Sequence, residues 1–243
     1  MPIESIENRR LYRQIADQII RLIEAGEYQP GQRLPAERLL AVQLCVSRPS
    51  VREALIALEV EGWVAIRGGT GVFVLERQDS GQAQSEAAVP VSANVSTLPA
   101  PGPLEVLYAR DLIEPEVAAL AAKQASPELL SSMARIMGDM VCCSASNPKH
   151  LDYDHQFHFS LAEATGNSAL VQTMETLWVM RQSPLYIRLQ NHFHNEAVWQ
   201  RAIIEHREIF EAVKSGDAKA ARAAMHRHLS NARKRYVSSW QKE

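Results

Sequence analysis

The chain has 243 residues, of which 46% are hydrophobic and 22% are charged, so it is long enough to bury the cores of two ordinary domains. The formal net charge is -2, which excludes a protein that binds nucleic acid or anionic membranes simply as a polycation. It contains no apolar run of membrane-spanning length and no apolar stretch typical of a signal peptide, so we expect a soluble cytoplasmic protein with no membrane partner.

A segment rich in proline, glycine and serine separates two parts of the chain. It covers residues 77–103 and has neither helical nor strand periodicity, which is typical of a linker. The residues before it, 1–76, mix helical and strand patterns, and those after it, 104–243, are helical in pattern throughout. We therefore predict a mainly α protein of two domains.

The first domain has the element order of a winged helix-turn-helix. Apolar residues recur at helical spacing over 11–25 and 48–61, and a second helix is expected over 35–46, between these two. Two short apolar runs, 64–66 and 72–75, flank a glycine-rich turn and predict a β-hairpin. The residues expected on the apolar side of the second helix are Leu39, Leu40 and Leu44, and Ser47 is expected to cap the third.

An excess of arginine accompanies the second and third helices. Over residues 33–52, four arginines face a single acid, Glu37. Arg48 and Arg52 are four residues apart, so we expect both on an exposed flank of the third helix, where they would reach a groove of DNA together. A charge cluster of this kind is usually ordinary solvated surface, but the helix-turn-helix-wing order favours DNA binding.

Motifs of a known family occur in the same region. PAERLLA, SRPSVREAL and LEVEGW, followed by a glycine-rich wing, stand in this order between residues 10 and 75. In these motifs and their spacing the chain closely resembles the N-terminal domain of the GntR family of bacterial transcriptional regulators. Pro49 departs from that pattern, in which small polar residues are common at this position. The residues expected to contact operator DNA are Arg38, Ser47, Arg48, Ser50, Arg52, Arg67, Gly68, Gly69, Thr70 and Gly71.

Four polar residues of the second domain occupy helix positions where an apolar residue is expected: Asp154, His158, His206 and His228. Buried ionisable groups are costly unless they are paired, and one carboxylate with three imidazoles suits a divalent metal with an open coordination position. Zinc is the first candidate. The alternatives are core histidines bonded to carbonyl groups, and an Asp154 that pairs with an arginine. The other five histidines follow no such pattern.

Two arginines, Arg110 and Arg181, also fall on core-facing helix positions. Together with a metal, their guanidinium groups would bind a small carboxylate, since arginine holds carboxylates in a bidentate geometry. The alternative is a structural arginine that pairs with an acid such as Glu114.

The second domain also resembles a known family. LEVLYARDLIEPEVAALAA, DHQFHFSLAEATGN, EHREIFEAV and MHRHL occur in this order within residues 104–230. They resemble the FCD effector domain of the FadR-like GntR subfamily, an all-α antiparallel bundle, and YARDLIE with TGNSALVQTMETLWVMR most resembles its hexuronate-responsive members. The resemblance implies the same four metal ligands, and it implies that Arg110 and Asn167 lie at or near the effector.

We therefore expect a homodimeric transcription factor that binds palindromic half-sites of an operator and acts as a repressor. Its expected effector is a small organic acid such as a sugar acid. We do not expect an enzyme. One alternative is a metal-dependent hydrolase with a DNA-targeting domain, in which Glu163 or Glu205 would be the general base. Another is an architectural DNA-binding protein with a structural metal, whose operator affinity would be indifferent to every metabolite.

Overall fold

The structure is a computed structural model that describes residues 10–76 and 101–238. The chain divides into two compact units at the junction between Gly102 and Pro103. Most of the predicted linker, residues 77–100, lies outside the described residues. Within the two described ranges, no helix is both long enough and apolar enough to cross a membrane.

The N-terminal unit is a winged helix-turn-helix, as predicted. Its elements are α1 (Leu11–Glu24), α2 (Glu37–Gln43), α3 (Arg48–Val60), β1 (Val64–Arg67) and β2 (Gly71–Val74). The two strands pair in antiparallel fashion, with Val64 opposite Val74 and Arg67 opposite Gly71. Its buried apolar core joins α1, α3 and the hairpin through residues that include Ile15, Ile19, Val51, Leu55, Leu58, Val64 and Val72.

Helix α2 is shorter than predicted, and its buried face is different. Leu39 is 49% exposed, whereas Glu37, Leu40 and Ala41 are buried. A helix of seven residues can turn only one narrow face towards the core, and here that face includes the acid. The prediction that Leu39 packs in the core is wrong, and the interior of this unit contains a carboxylate instead.

The C-terminal unit is a helical bundle, as predicted. Its helices are α4 (Pro103–Gln124), α5 (Pro127–Cys142), α6 (Lys149–Ala164), α7 (Ser168–Met180), α8 (Pro184–Phe193), α9 (Glu196–Lys214) and α10 (Ala218–Ser238). Short polar side chains fix several starts: Ser126 accepts a hydrogen bond from the Leu129 amide, and Asn195 accepts one from the Val198 amide. Gly166 and Gly216 adopt positive φ angles where helices end.

The core of the bundle places four helices around one site. Helix α10 packs extensively on α4 and on α9, and α6 packs on α4 and α5. The apolar residues that fill the space between these helices include Met133, Met140, Phe157, Leu161, Ile203, Ile209 and Met225. Polar side chains of α4, α6, α9 and α10 are enclosed beside this core, and their burial is close to complete.

Candidate metal centre and nucleic-acid interface

The start of α3 presents polar side chains to solvent. Ser47 caps the helix by accepting a hydrogen bond from the Ser50 amide, so backbone amides of the first turn are ordered at the surface. Among the residues expected to contact operator DNA, the exposed ones are Arg38, Ser47, Arg67, Gly68, Gly69 and Thr70, and the half-buried ones are Arg48, Ser50 and Gly71. These side chains and turns are therefore open to a partner, as a DNA-contact surface requires.

Arg52 is the exception, and the prediction that it lies on an exposed flank is wrong. Its side chain is 2% exposed, and its guanidinium donates from Nε and Nη2 to both carboxylate oxygens of Glu37 at 3.0 Å. The same carboxylate accepts a hydrogen bond from Nε of Arg48 at 2.9 Å. Arg52 thus holds Glu37 in the interior, and Glu37 in turn holds Arg48, which keeps 36% of its side chain exposed.

The wing depends on glycine for its conformation. Gly69 and Gly71 have φ angles of +71° and +113°, which residues with a Cβ atom rarely adopt. A Cβ on Gly71 would also collide with Nε of Arg33. The Thr70 hydroxyl donates to the Arg67 carbonyl across the turn. The hairpin tip therefore projects Arg67 from a tightly constrained loop.

In the bundle, the four predicted metal ligands lie together. Asp154, His158, His206 and His228 each offer one ligand atom, and these atoms lie within 4.8 Å of one another. Nε2 of His206 is 3.2 Å from Nε2 of His158 and 3.2 Å from Oδ1 of Asp154. Two ligand atoms at 2.0–2.1 Å from a tetrahedral zinc are about 3.3 Å apart, so both spacings suit a zinc-sized ion.

The other ring nitrogen of each histidine faces an oxygen. Nδ1 of His206 lies 2.6 Å from the Ala202 carbonyl, and Nδ1 of His228 lies 2.8 Å from Oε2 of Glu205. Nδ1 of His158 is 2.7 Å from Oε2 of Glu114. These contacts favour a proton on Nδ1 and leave Nε2 as a lone-pair donor, which is how proteins orient metal-binding histidines.

Burial keeps the imidazoles of His158 and His228 neutral. Burial, followed by the neighbouring His206, lowers the pKa of His228 to about 3, and burial also lowers the pKa of His158. Burial alone would raise the pKa of Glu205, but the hydrogen bond from His228 and the nearby Arg235 lower it to about 2. These two neutral imidazoles thus lie beside an ionised carboxylate, and these are the protonation states that bind a divalent cation.

Asp154 also pairs with an arginine, as one alternative anticipated. Nη1 of Arg181 donates to Oδ2 of Asp154 at 3.0 Å, and the guanidinium lies over the Trp178 ring at 4.0 Å. Burial opposes ionisation of Asp154, yet Arg181 and the histidines hold its pKa well below the usual value. Since Arg181 occupies one oxygen, the other oxygen of Asp154 remains directed at the histidines.

Arg110 follows the structural alternative more closely than the effector-binding one. It is 4% exposed, and it pairs with Glu114, which is 1% exposed. Burial disfavours both charges. Glu114 nevertheless raises the pKa of Arg110, and Arg110 lowers the pKa of Glu114, so the pair stays ionised. Its side chain also lines a cavity, so Arg110 adjoins the space where a ligand would lie but already has a bound carboxylate.

The cavity beside the metal cluster brings together residues of α4, α6, α8, α9 and α10. Its polar lining consists of Arg110, His150, Asp154, Arg181, Tyr186, Gln190, His194, His228 and Arg235. Asn167 does not line it. Its exposed side chain instead accepts hydrogen bonds from the Ala169 and Leu170 amides at the start of α7, so Asn167 caps this helix, and its contact with an effector stays a prediction.

Three lining residues were missed by sequence reasoning. Arg235 and the pair His150 and His194 follow no core stripe that the sequence reveals, and only tertiary packing brings them to Asp154 and His228. Glu205 had been a candidate general base, but it accepts hydrogen bonds from His228 and Asn231. It therefore orients a metal-ligand candidate.

Comparison with known proteins agrees with both units. The family "Bacterial regulatory proteins, gntR family" matches residues 11–74, and the FCD domain matches residues 105–231. The Uxu operon transcriptional regulator of Escherichia coli K12 is 36% identical over 232 residues, which are 94% of this chain and 88% of that protein. The Exu regulon transcriptional regulator of the same organism is 37% identical over 234 residues, 94% of this chain and 85% of that protein.

A solved structure has the same fold. E. coli McbR/YncC is 18% identical, and the match covers 96% of this chain and 99% of that one with a TM-score of 0.50. The relatives are transcriptional regulators, so the alternative of a metal-dependent hydrolase is wrong. The chain belongs to the GntR family of bacterial regulatory proteins, in its FadR-like subfamily, and is a DNA-binding transcriptional regulator with an FCD domain.

Proposed function

We propose that this regulator binds one divalent metal ion per chain, zinc in the first instance, and a small carboxylate effector that controls its affinity for operator DNA. The observation that carries this proposal is the convergence of one carboxylate and three Nε2 atoms beside an arginine-lined cavity. Without a cation, Nε2 of His206 would face both Nε2 of His158 and the Asp154 carboxylate at 3.2 Å. A divalent ion relieves this crowding of lone pairs.

The residues present fit such an ion. Asp154, His158, His206 and His228 would hold it, and Glu114, Glu205 and the Ala202 carbonyl would orient the imidazoles. When bound, the ion would supply a positive charge at the cavity wall, with room for a ligand oxygen. Arg181 and Arg235 add guanidinium donors on the same wall. A small organic acid, and a sugar acid such as a hexuronate in particular, suits this lining.

We further propose that the protein acts as a homodimer on palindromic half-sites and represses transcription until the effector binds. Tyr108 and Leu112 lie four residues apart on α4 and are 57% and 62% exposed. A pair of large exposed apolar side chains on one helix face supports a protein interface. Operator contacts would come from Arg38, Ser47, Arg48, Ser50 and the wing residues 67–71, with Arg52 as a residue that positions Glu37 and Arg48.

Metal analysis and operator binding test this function together. Full-length protein purified without chelator should contain about one ion per chain, and His206→Ala should lower that content sharply. The affinity of the protein for operator duplexes, selected from a random pool, should fall when D-glucuronate is added. That loss should be about 5- to 150-fold, the usual range of allosteric coupling. If wild-type protein purified without chelator contained no metal and still bound operator with an affinity that added zinc did not change, the metal part of the proposal would be refuted.

A further inference from the structure

Two histidines outside the metal cluster stack on each other in the cavity wall. The rings of His150 and His194 have centroids 4.2 Å apart and are nearly parallel, at 15°. The Trp199 ring meets His150 edge-on at 5.3 Å. All three side chains line the cavity that contains Asp154 and His228. The pair belongs to the wall of the ligand cavity and has no part in the candidate metal site.

The hydrogen bonding of the pair is incomplete. Nδ1 of His150 lies 2.6 Å from the Asn147 carbonyl, and His194 is bonded to the backbone of Ala145. A carbonyl oxygen can only accept, so a ring nitrogen beside it carries the proton and the opposite nitrogen is an acceptor. Nε2 of both rings is buried and has no hydrogen-bond partner among the described residues.

Such atoms indicate a missing donor. A buried acceptor without a partner destabilises the protein, and His150, which is 7% exposed, cannot recover the lost hydrogen bond from bulk water. Burial, followed by the neighbouring His150, lowers the pKa of His194, so the His194 ring is a neutral acceptor. Because both rings line the cavity, a ligand in the cavity is the natural source of the donors.

We propose that His150 and His194 are specificity-determining residues that accept hydrogen bonds from hydroxyl groups of a polyhydroxylated carboxylic acid. This inference rests on the proposed function, because it assumes that the acid group occupies the arginine- and metal-lined wall. It deepens that function by separating a wall that binds the carboxylate from a pair of rings that reads the hydroxyl groups. An unsubstituted carboxylate would leave both Nε2 atoms without donors and would bind less tightly.

Two other occupants fit less well. An ammonium group could donate to both rings, but Glu114, Asp154 and Glu205 already neutralise the three arginines of this cavity. The proposed divalent ion would therefore leave the cavity with a net positive charge that repels a cation. A second metal ion would need more than two ligands. Within residues 10–76 and 101–238, the one cluster of three or more potential metal ligands is that of Asp154 and its three histidines, and it does not include His150 or His194.

Calorimetric titration of the full-length, zinc-loaded protein with two acids tests the inference. D-glucuronate has six carbons and several hydroxyl groups, and hexanoate has six carbons and none. We expect wild-type protein to bind D-glucuronate more tightly. His150→Phe and His194→Phe keep the stacked ring and remove the acceptor, so each should weaken D-glucuronate binding by about tenfold while leaving hexanoate binding nearly unchanged. His194→Gln keeps an acceptor and should restore part of the loss.

A matched control is His192→Phe, because His192 is exposed on the same helix, α8, and does not line the cavity. Zinc content and the melting temperature establish that each variant is folded, and His194, which is only partly buried, provides the readout if His150→Phe does not fold. Phe variants that keep the wild-type preference for D-glucuronate would overturn the inference. Wild-type protein that binds neither acid would instead refute the proposed effector function itself.

Discussion

The buried Arg52–Glu37 pair makes a prediction that reverses the sequence-based expectation for α3. Glu37→Ala removes the carboxylate that accepts hydrogen bonds from the guanidinium groups of Arg48 and Arg52. The Arg52 side chain, which is 2% exposed, then keeps its charge inside the protein. Removing one partner of a buried ion pair typically costs about 3–5 kcal/mol. Arg52→Ala should cost less than this, because Glu37 would keep its hydrogen bond from the more exposed Arg48.

Arg48→Ala is the matched control, because Arg48 donates to the same carboxylate from the surface. We expect it to leave the stability of the N-terminal unit nearly unchanged and to weaken operator binding by about 1–3 kcal/mol per subunit. Hydrogen exchange read on peptides from residues 10–76 would measure local stability in the full chain, and gel shifts would measure operator affinity. If Glu37→Ala exchanges like wild type, the reasoning that makes this pair structural fails.

Three further predictions concern the bundle. Glu205→Gln should weaken zinc affinity by about 10- to 100-fold, because Glu205 orients His228; a competitive chelator titration would measure this, and wild-type affinity would count against the role of Glu205. Arg110→Ala should lower the free energy of unfolding by about 3–5 kcal/mol, because it leaves the charged Glu114 at 1% exposure without this partner. Urea denaturation followed by circular dichroism would measure the change. A variant with wild-type stability that no longer responds to the effector would make Arg110 a ligand contact instead. Chelated protein should fail to bind D-glucuronate and should regain binding when zinc is returned, and calorimetry that finds equal affinity with and without zinc would contradict the link.

The sequence predicted the helices well because their signals are local. Asn195 and Ser126 cap the helices that follow them, and Gly166 and Gly216 take the positive φ angles that end helices. The four candidate ligands were found for a related reason: a polar residue at an apolar helix position points inwards wherever the helix packs. Each such inference needs only the residue and its own helix.

The errors come from partners on other elements. Arg52 was placed on the surface because its own helix could not reveal that Glu37 of α2 lies inside and accepts its hydrogen bonds. The stacked His150 and His194 are 44 positions apart in the sequence, and no periodicity connects them.

The charge balance of the cavity explains why the metal should control ligand binding. Arg110, Arg181 and Arg235 all line it, but their respective partners Glu114, Asp154 and Glu205 already neutralise them. A carboxylate that relied on these arginines alone would have to displace an existing ion pair, and the gain would be small. A divalent ion held by Asp154 and the three histidines would add a charge that these three acids do not offset. Because Arg235 also contacts Glu205, which orients His228, an acid that draws Arg235 into the cavity would alter the support of a metal ligand. Metal and effector are then linked reciprocally, each changing the affinity for the other by the same factor.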